Sequence, residues 1–262
     1  MMIQVSHVTK VFSTPGGGRR VLALDDVSLE VPQGVCYGVV GESGSGKTTL
    51  GRILLGLLIP EDGQVLLQGQ PVPQSPGEAR RSGFFTQAQM VFQDTFGTLN
   101  PFMQVQDILL EPLKNMMVPR DQWSARMQRV CELVGFPWSK RKDRPGQLSG
   151  GLRQRLSIAR ALTLEPCVLV LDEPVASLDV SIQARILNLL QELRRELGLT
   201  YVFISHDLDI IEYMSDHIGI LYQGRLVEQG SATDILQRPQ HEYSKILMAT
   251  QAHHYDWYTE EE

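Results

Sequence analysis

Apolar residues along this chain first alternate with polar ones and then run together. Residues 3–8 and 27–31 read as short strands, with a turn at Gly16, Gly17 and Gly18 and two arginines between them. That opening is β-rich and antiparallel. From Val35 an apolar strand ends at Val40, followed by a glycine-rich turn and a helix that begins near Lys47 and carries Leu50, Ile53, Leu54 and Leu57 on one side. The same alternation returns with a strand at 168–171, a helix at 180–197, a strand at 201–205 and another near 218–222. Near-continuous apolar strands of this kind predict a parallel sheet covered on both faces, and so an α/β core. Between the two blocks, residues 97–145 show helical periodicity, several methionines and no convincing strand. They are read as an inserted helical subdomain. No internal repeat or low-complexity tract interrupts the pattern, and Glu260, Glu261 and Glu262 read as a solvated acidic tail.

Composition narrows the classes of partner. The 262 residues, 42% of them apolar, suffice for one large body or two small ones. Lysine and arginine total 24 against 30 acidic residues, for a net charge of −6. A duplex-binding surface is usually basic, so nucleic acid is not an expected partner. Cys36, Cys131 and Cys167 lie far apart, without disulfide-framework or zinc spacing, which fits a reducing cytoplasm. The N-terminus has no basic segment followed by an apolar one, and no apolar run approaches the ~18 residues of a spanning helix. Action at a membrane would therefore need other chains.

The first chemical signal is Gly41-Glu42-Ser43-Gly44-Ser45-Gly46-Lys47-Thr48, a P-loop pattern set between an expected strand and an expected helix. Its glycines let backbone N–H groups turn inward around phosphates, and the helix N-terminus adds positive potential there. Lys47 is placed for the β and γ phosphates, and the Thr48 hydroxyl for magnesium. The second signal is Asp172-Glu173 at the end of the 168–171 strand, the edge where open α/β sheets bind ligands. Asp172 would hold magnesium through water, and Glu173 would polarise an attacking water. A carboxylate directly after the magnesium aspartate favours hydrolysis over transfer to an acceptor. His206 follows the 201–205 strand at another carboxyl edge, where it would touch the γ-phosphate or orient the water or Glu173. Gln93 reads equally as an amide for magnesium or water and as an ordinary surface residue.

The third signal is Leu148-Ser149-Gly150-Gly151, opening a helix with Leu152, Leu156 and Ala159 at core spacing. Bare N–H groups, a short hydroxyl and the positive end of a helix dipole make an anion site; a plain serine cap followed by flexible glycines is the other reading. Since the P-loop already takes this chain's phosphates, a second anion site makes best sense if it receives the γ-phosphate held by another protomer.

In this order the motifs resemble the ABC-type ATPases over nearly the whole chain. The family's P-loop, glutamine loop, Leu-Ser-Gly-Gly signature, Asp-Glu pair, Ser-Ala-Leu-Asp-like loop and switch histidine are matched by residues 41–48, Gln93, 148–151, Asp172 with Glu173, Ser177-Leu178-Asp179 and His206. The resemblance implies a P-loop NTPase (RecA-like) core at 1–96 and 160–240 with an N-terminal antiparallel β-subdomain. A helical subdomain at about 97–159 and a tail at 241–262 complete the expected chain. It implies a head-to-tail dimer with ATP and magnesium between one chain's P-loop, Thr49 included, and the other chain's Ser149, Gly150 and Gly151, with Asp179 beside them. An aromatic near the first strand would stack on adenine; Phe12 is the candidate, although a strand phenylalanine also suits a core.

Two departures stand out. Leu152 replaces the signature's usual glutamine, and Pro174-Val175-Ala176-Ser177-Leu178-Asp179 is slightly off the commonest form. The stretch Phe92-Gln-Asp-Thr-Phe-Gly-Thr-Leu-Asn-Pro101 is similar to the oligopeptide, dipeptide and nickel importer branch, and Gln240-His-Glu-Tyr-Ser-Lys-Ile-Leu247 to that branch's tail motif, with Glu242 and Ser244 departing from it. The implied partners are a second ATPase subunit, the same chain or a related one, two membrane-spanning permease subunits and, indirectly, a substrate-binding protein. The implied place is the cytoplasmic face of the inner membrane, and the cargo a peptide or a nickel or metal chelate. An accessory ATPase of a soluble phosphonate carbon–phosphorus lyase assembly is the rival reading.

Overall fold

A computed structural model describes residues 1–13, 20–93 and 95–251. The expected turn at residues 16–18, the motif residue Asp94 and the acidic end at 260–262 lie outside the described residues. In chain order the elements are β1 (Ile3–Ser13), β2 (Arg20–Val31), β3 (Cys36–Val40), α1 (Lys47–Leu54), β4 (Asp62–Leu67), β5 (Gln70–Pro71), α2 (Pro76–Arg81), α3 (Phe84–Gln87), β6 (Ala88–Val91) and α4 (Thr95–Thr98). They continue with α5 (Val105–Asn115), α6 (Trp123–Leu133), α7 (Gly150–Leu162), β7 (Val168–Asp172), α8 (Val180–Leu197), β8 (Thr200–Ser205), α9 (Leu208–Met214), β9 (His217–Tyr222), β10 (Arg225–Ser231), α10 (Ala232–Gln237) and α11 (Glu242–Gln251). The chain divides into two compact units, one of Met1–Ala79 with Thr200–Glu262 and one of Arg80–Leu199.

The first unit holds two kinds of sheet. Its antiparallel sheet runs β2-β1-β4-β5, with Ile3 opposite both Val31 and Leu67. Here inward residues such as Val5, Val8, Leu24 and Val27 are buried while their neighbours meet solvent, the alternation of a sheet covered on one face. The strands extend well past the expected 3–8 and 27–31. Their distal halves, around Val11, Phe12, Val21 and Leu22, pair with each other but are only partly covered, so apolar pattern alone does not mark them. Beside this lies the run β10-β9-β3-β8, in which β3 is parallel to both β8 and β9. Every residue of β3 and β8 is buried, as a strand covered on both faces requires.

Helix α1 buries Leu50, Ile53 and Leu54 but stops before Leu57. Gly56 adopts φ 63, its N–H bonds the Ile53 carbonyl, and the Leu57 N–H bonds the Arg52 carbonyl. This pair of bonds around a left-handed glycine is a Schellman stop, and it turns Leu57 outward, 43% exposed.

The second unit pairs β6 and β7 in parallel and is otherwise helical. Its long helix α8 buries Ile186, Leu187, Leu190 and Leu193, a repeat of one and three to four residues that keeps one stripe inward. Asp179 caps its N-terminus, Arg194 and Arg195 complement the last turn, and Gly198 at φ 64 ends it. Helix α7 buries Leu156 and Ala159 fully, whereas Leu152 is half-buried. The architecture is that of a P-loop NTPase core with an antiparallel β-subdomain and a helical portion. Among the described residues no helix is long and apolar enough to cross a membrane.

Leu190 has no exposed surface, so Leu190→Ala should lower the unfolding free energy by about 2–5 kcal/mol through lost burial and the cavity left behind. Urea unfolding followed by circular dichroism measures this; an unshifted midpoint would contradict the placement of α8.

Candidate functional site

In the first unit, strand β3 gives way to a loop that only glycine can shape. Gly41, Gly44 and Gly46 adopt φ 156, 81 and 110. A Cβ on Gly41 would lie 2.1 Å from the Leu221 carbonyl oxygen, and one on Gly46 would lie 2.4 Å from that of Ala23. The loop therefore sits directly on backbone. The Gly224 N–H donates to the Ser45 carbonyl at 3.0 Å and ties the loop to the turn between β9 and β10. A Cβ at Gly44 would meet nothing within 4 Å, so the loop is open at that point.

Charge is built into this cradle. The Lys47 side chain is buried, and its Nζ donates to the carbonyls of Gly41 at 2.7 Å and Glu42 at 2.9 Å. No side chain caps α1, whose N-terminus opens into the loop with Thr48 and Thr49 in its first turn. Among the described residues, Ser45 Oγ is buried with no hydrogen-bond partner. An opening at Gly44, an ammonium in the loop, an uncapped helix start and an orphaned hydroxyl suit a bound polyphosphate.

His206 stands at the same edge. Val40 pairs with Ser205, so the first loop residue Gly41 and His206 each lie one position beyond a paired residue of neighbouring parallel strands. His206 is exposed, and the next residue, Asp207, caps α9 by accepting from the Asp209 and Ile210 amides at 2.9 and 3.3 Å. Phe12 is not a core residue. It lies near the end of β1, 40% exposed, with Lys10 Nζ 5.5 Å from its ring centroid. That lysine is held by the Ile59 carbonyl at 2.7 Å and the Glu61 carboxylate at 2.9 Å.

The second unit gathers the other candidates at strand and helix ends. Leu171 of β7 pairs with Val91 of β6, which sets Gln93 two residues beyond one strand at the end where Asp172 and Glu173 leave the other. Gln93 is exposed; Asp172 is 4% exposed and Glu173 half-buried. Glu173 adopts φ 49, a left-handed conformation uncommon for residues other than glycine and one that tends to mark functional sites.

Ser149 is the N-cap of α7, its Oγ accepting from the Leu152 N–H at 3.4 Å. The two glycines after it have a packing reason as well: a Cβ on Gly150 would come within 3.3 Å of the Leu178 side chain, and one on Gly151 within 3.0 Å of Ile182. The start of α7 thus adjoins the start of α8, where Asp179 is fully exposed. The Ser181 hydroxyl at 2.9 Å, with the Ile182 N–H at 3.1 Å, holds the Asp179 carboxyl below its ordinary range. Within this unit Ser149, Gly150, Gly151 and Asp179 gather where α7 meets α8, and Gln93, Asp172 and Glu173 lie at one end of the β6–β7 pair.

One contact at the phosphate loop has no counterpart among the sequence candidates. The hydroxyl of Tyr243, on the tail helix α11, accepts from the Glu42 N–H at 3.3 Å. The sequence marks this tyrosine only as part of a tail motif.

A family model described as ABC transporter matches residues 24–176. The oligopeptide transport ATP-binding protein OppF of Bacillus subtilis is 42% identical over 95% of this chain and 81% of its own length. Among solved structures, cbiO1 from Clostridium perfringens, part of the ABC transporter complex cbiONQ, superposes with a TM-score of 0.78 at 27% identity, over 90% of this chain and 91% of that one. A dimeric post-hydrolysis state of the ATP-binding cassette MJ0796 bound to ADP and Pi also reaches 0.78, at 26% identity over 88% of this chain and 99% of that one.

Gly46→Ala should weaken binding of a fluorescent ATP analogue by at least about fivefold, since a side chain at this φ is strained by about 1–3 kcal/mol and its Cβ overlaps the Ala23 carbonyl. Native affinity in that titration would contradict the loop geometry.

Proposed function

The chain belongs to the ABC transporter family and is an ATPase of that family, and from this premise we propose that it energises import of a peptide through separate membrane-spanning subunits. The observation that carries the reading is the phosphate cradle of residues 41–49, with its opening at Gly44, buried ammonium and uncapped helix start. The likeness to a subunit named for oligopeptide transport favours a peptide cargo over a nickel chelate.

In this reading the amides of Ser43, Gly44 and Gly46 and of the first turn of α1 surround the β and γ phosphates of ATP, Glu42 and Ser45 complete the loop, and Lys47 turns from the loop carbonyls to the phosphates. Phe12 offers its exposed face to the adenine ring. Thr48, the buried Asp172 and Gln93 supply hard oxygen donors of the kind magnesium takes. Bound magnesium would neutralise charge on the phosphate oxygens. Glu173 orients the attacking water and accepts its proton; its constrained backbone fixes where the carboxylate points. His206 contacts the γ-phosphate from the neighbouring strand edge. Most of the rate gain in phosphoryl transfer comes from such positioning and charge placement.

The cluster of Ser149, Gly150, Gly151 and Asp179 serves the nucleotide of a second ATPase subunit, the same chain or a related one. Gln93 is the hinge to a helical subdomain at about 97–159, which receives a cytoplasmic helix of one of two permease subunits, while 1–96 and 160–240 form the core and 241–262 the tail. A substrate-binding protein would act on the far side, and this chain would sit peripherally on the cytoplasmic face of the membrane. Support for the dimer comes from the family and from the dimeric cassette with ADP and Pi.

Glu173→Gln should retain ATP binding while turnover falls by about 10²–10⁴-fold, the range for loss of a general base. A phosphate-release assay beside an ATP titration measures both; hydrolysis at the native rate would remove Glu173 from this role. Lys47→Ala should lose nucleotide affinity together with activity, and an unchanged titration would overturn the cradle assignment.

A further inference from the structure

The tail helix α11 reaches the phosphate loop by a built path. Val40 pairs with Ile220, so Tyr222 at the end of β9 lies at the edge where β3 becomes the loop. The rings of Tyr222 and Tyr243 stack there, centroids 4.0 Å apart and planes 26° from parallel. Tyr243 is only 7% exposed although it lies in the first turn of a surface helix. The helix start is itself pinned: the Glu228 carboxylate of β10 accepts from the Gln240 N–H at 2.8 Å and the His241 N–H at 3.0 Å, and His241 Nδ1 accepts from the Tyr243 N–H at 3.1 Å.

Packing alone would be served by a phenylalanine at this place. The hydroxyl instead accepts from the Glu42 N–H, and Glu42 is the residue whose carbonyl receives both Lys47 Nζ at 2.9 Å and the Ser45 N–H at 3.1 Å. The Glu42 N–H shares one planar peptide with the Gly41 carbonyl, which also receives Lys47 Nζ, at 2.7 Å, so fixing that amide restrains a carbonyl that holds the lysine. With Gly224 tying Ser45 to the β9–β10 turn, the loop is tethered at two points.

We infer that Tyr243 is a positioning residue for the phosphate loop, a tail side chain that sets the Gly41–Glu42 peptide and through it the seat of Lys47. The inference rests on the reading of residues 41–49 as the ATP phosphate site. Burial raises the phenol's pKa, so the group stays a neutral hydroxyl at physiological pH. Burial also works to raise the Glu228 carboxyl, but the hydrogen bonds it accepts hold it below its ordinary range, so the anchor of the helix stays charged.

The test uses the full chain. Tyr243→Phe keeps the ring stack and removes the acceptor. It should raise KM for ATP and the dissociation constants of ATP and ADP by about 3–10-fold, the worth of one backbone hydrogen bond, with kcat within about twofold and an unchanged melting temperature. Glu228→Gln should raise KM in the same direction, and the double variant should show less than the product of the two effects, because both act through one path. Ile246→Ala, an exposed position on the same helix, should leave KM as in the native chain. Native KM and nucleotide affinity in Tyr243→Phe would overturn the inference, and so would an equal rise in Ile246→Ala, which would mark general loosening of the tail. A native chain that binds no ATP would instead bring down the reading of the phosphate site, a failure separable from this one.

Discussion

The account depends on one constraint: backbone must touch backbone where strand β3 turns into the phosphate loop. At Gly41 and Gly46 the neighbouring carbonyls of Leu221 and Ala23 stand where a side chain would begin, and both residues hold positive φ. Only glycine meets both demands. The loop is pressed against the end of β9 and against β2, α1 begins in it without a side-chain cap, and the buried Lys47 supplies the charge that an anion requires. The rest of the first unit serves this seat. Fully buried parallel strands hold the edge, the β9–β10 turn supports Ser45, and the tail helix meets Glu42.

A similar economy holds in the second unit. The close approach of α7 to α8 makes a Cβ at Gly150 or Gly151 a tight fit against Leu178 or Ile182, so the glycines of the signature have a packing role beside any role toward a ligand. A helix start free of bulk lies tightly against its neighbour, and Asp179 is presented by the same junction. Glu173 carries the opposite kind of constraint, a charged residue in a conformation that costs free energy, at the end of a strand with no exposed side chain.

Much of this was legible in the residues. The buried strands β3, β7, β8 and β9 and the long helix α8 were readable to within a residue or two, because continuous apolar runs and a 3.6-residue stripe are unambiguous when glycine or aspartate bounds them. Candidate chemistry could be named where local sequence suggests it, as in the phosphate loop and the Asp172-Glu173 pair, and its roles are those proposed above. Less was visible where the cause is tertiary. The distal half of β1 is held by pairing with β2 and not by burial, Leu57 leaves its helix because Gly56 turns left-handed, and Phe12 is exposed although its neighbours suit a core. Tyr243 was hidden for the same reason: its partner Glu42 lies 201 residues away, and only the fold brings them together.

The most direct measurement is a structure of the chain with magnesium and a non-hydrolysable ATP analogue. The account predicts the triphosphate in the loop of residues 41–49, with Ser149 and Gly151 of a facing subunit against its terminal phosphate. A nucleotide bound elsewhere, or Ser149 and Gly151 open to solvent with no subunit across from them, would contradict it.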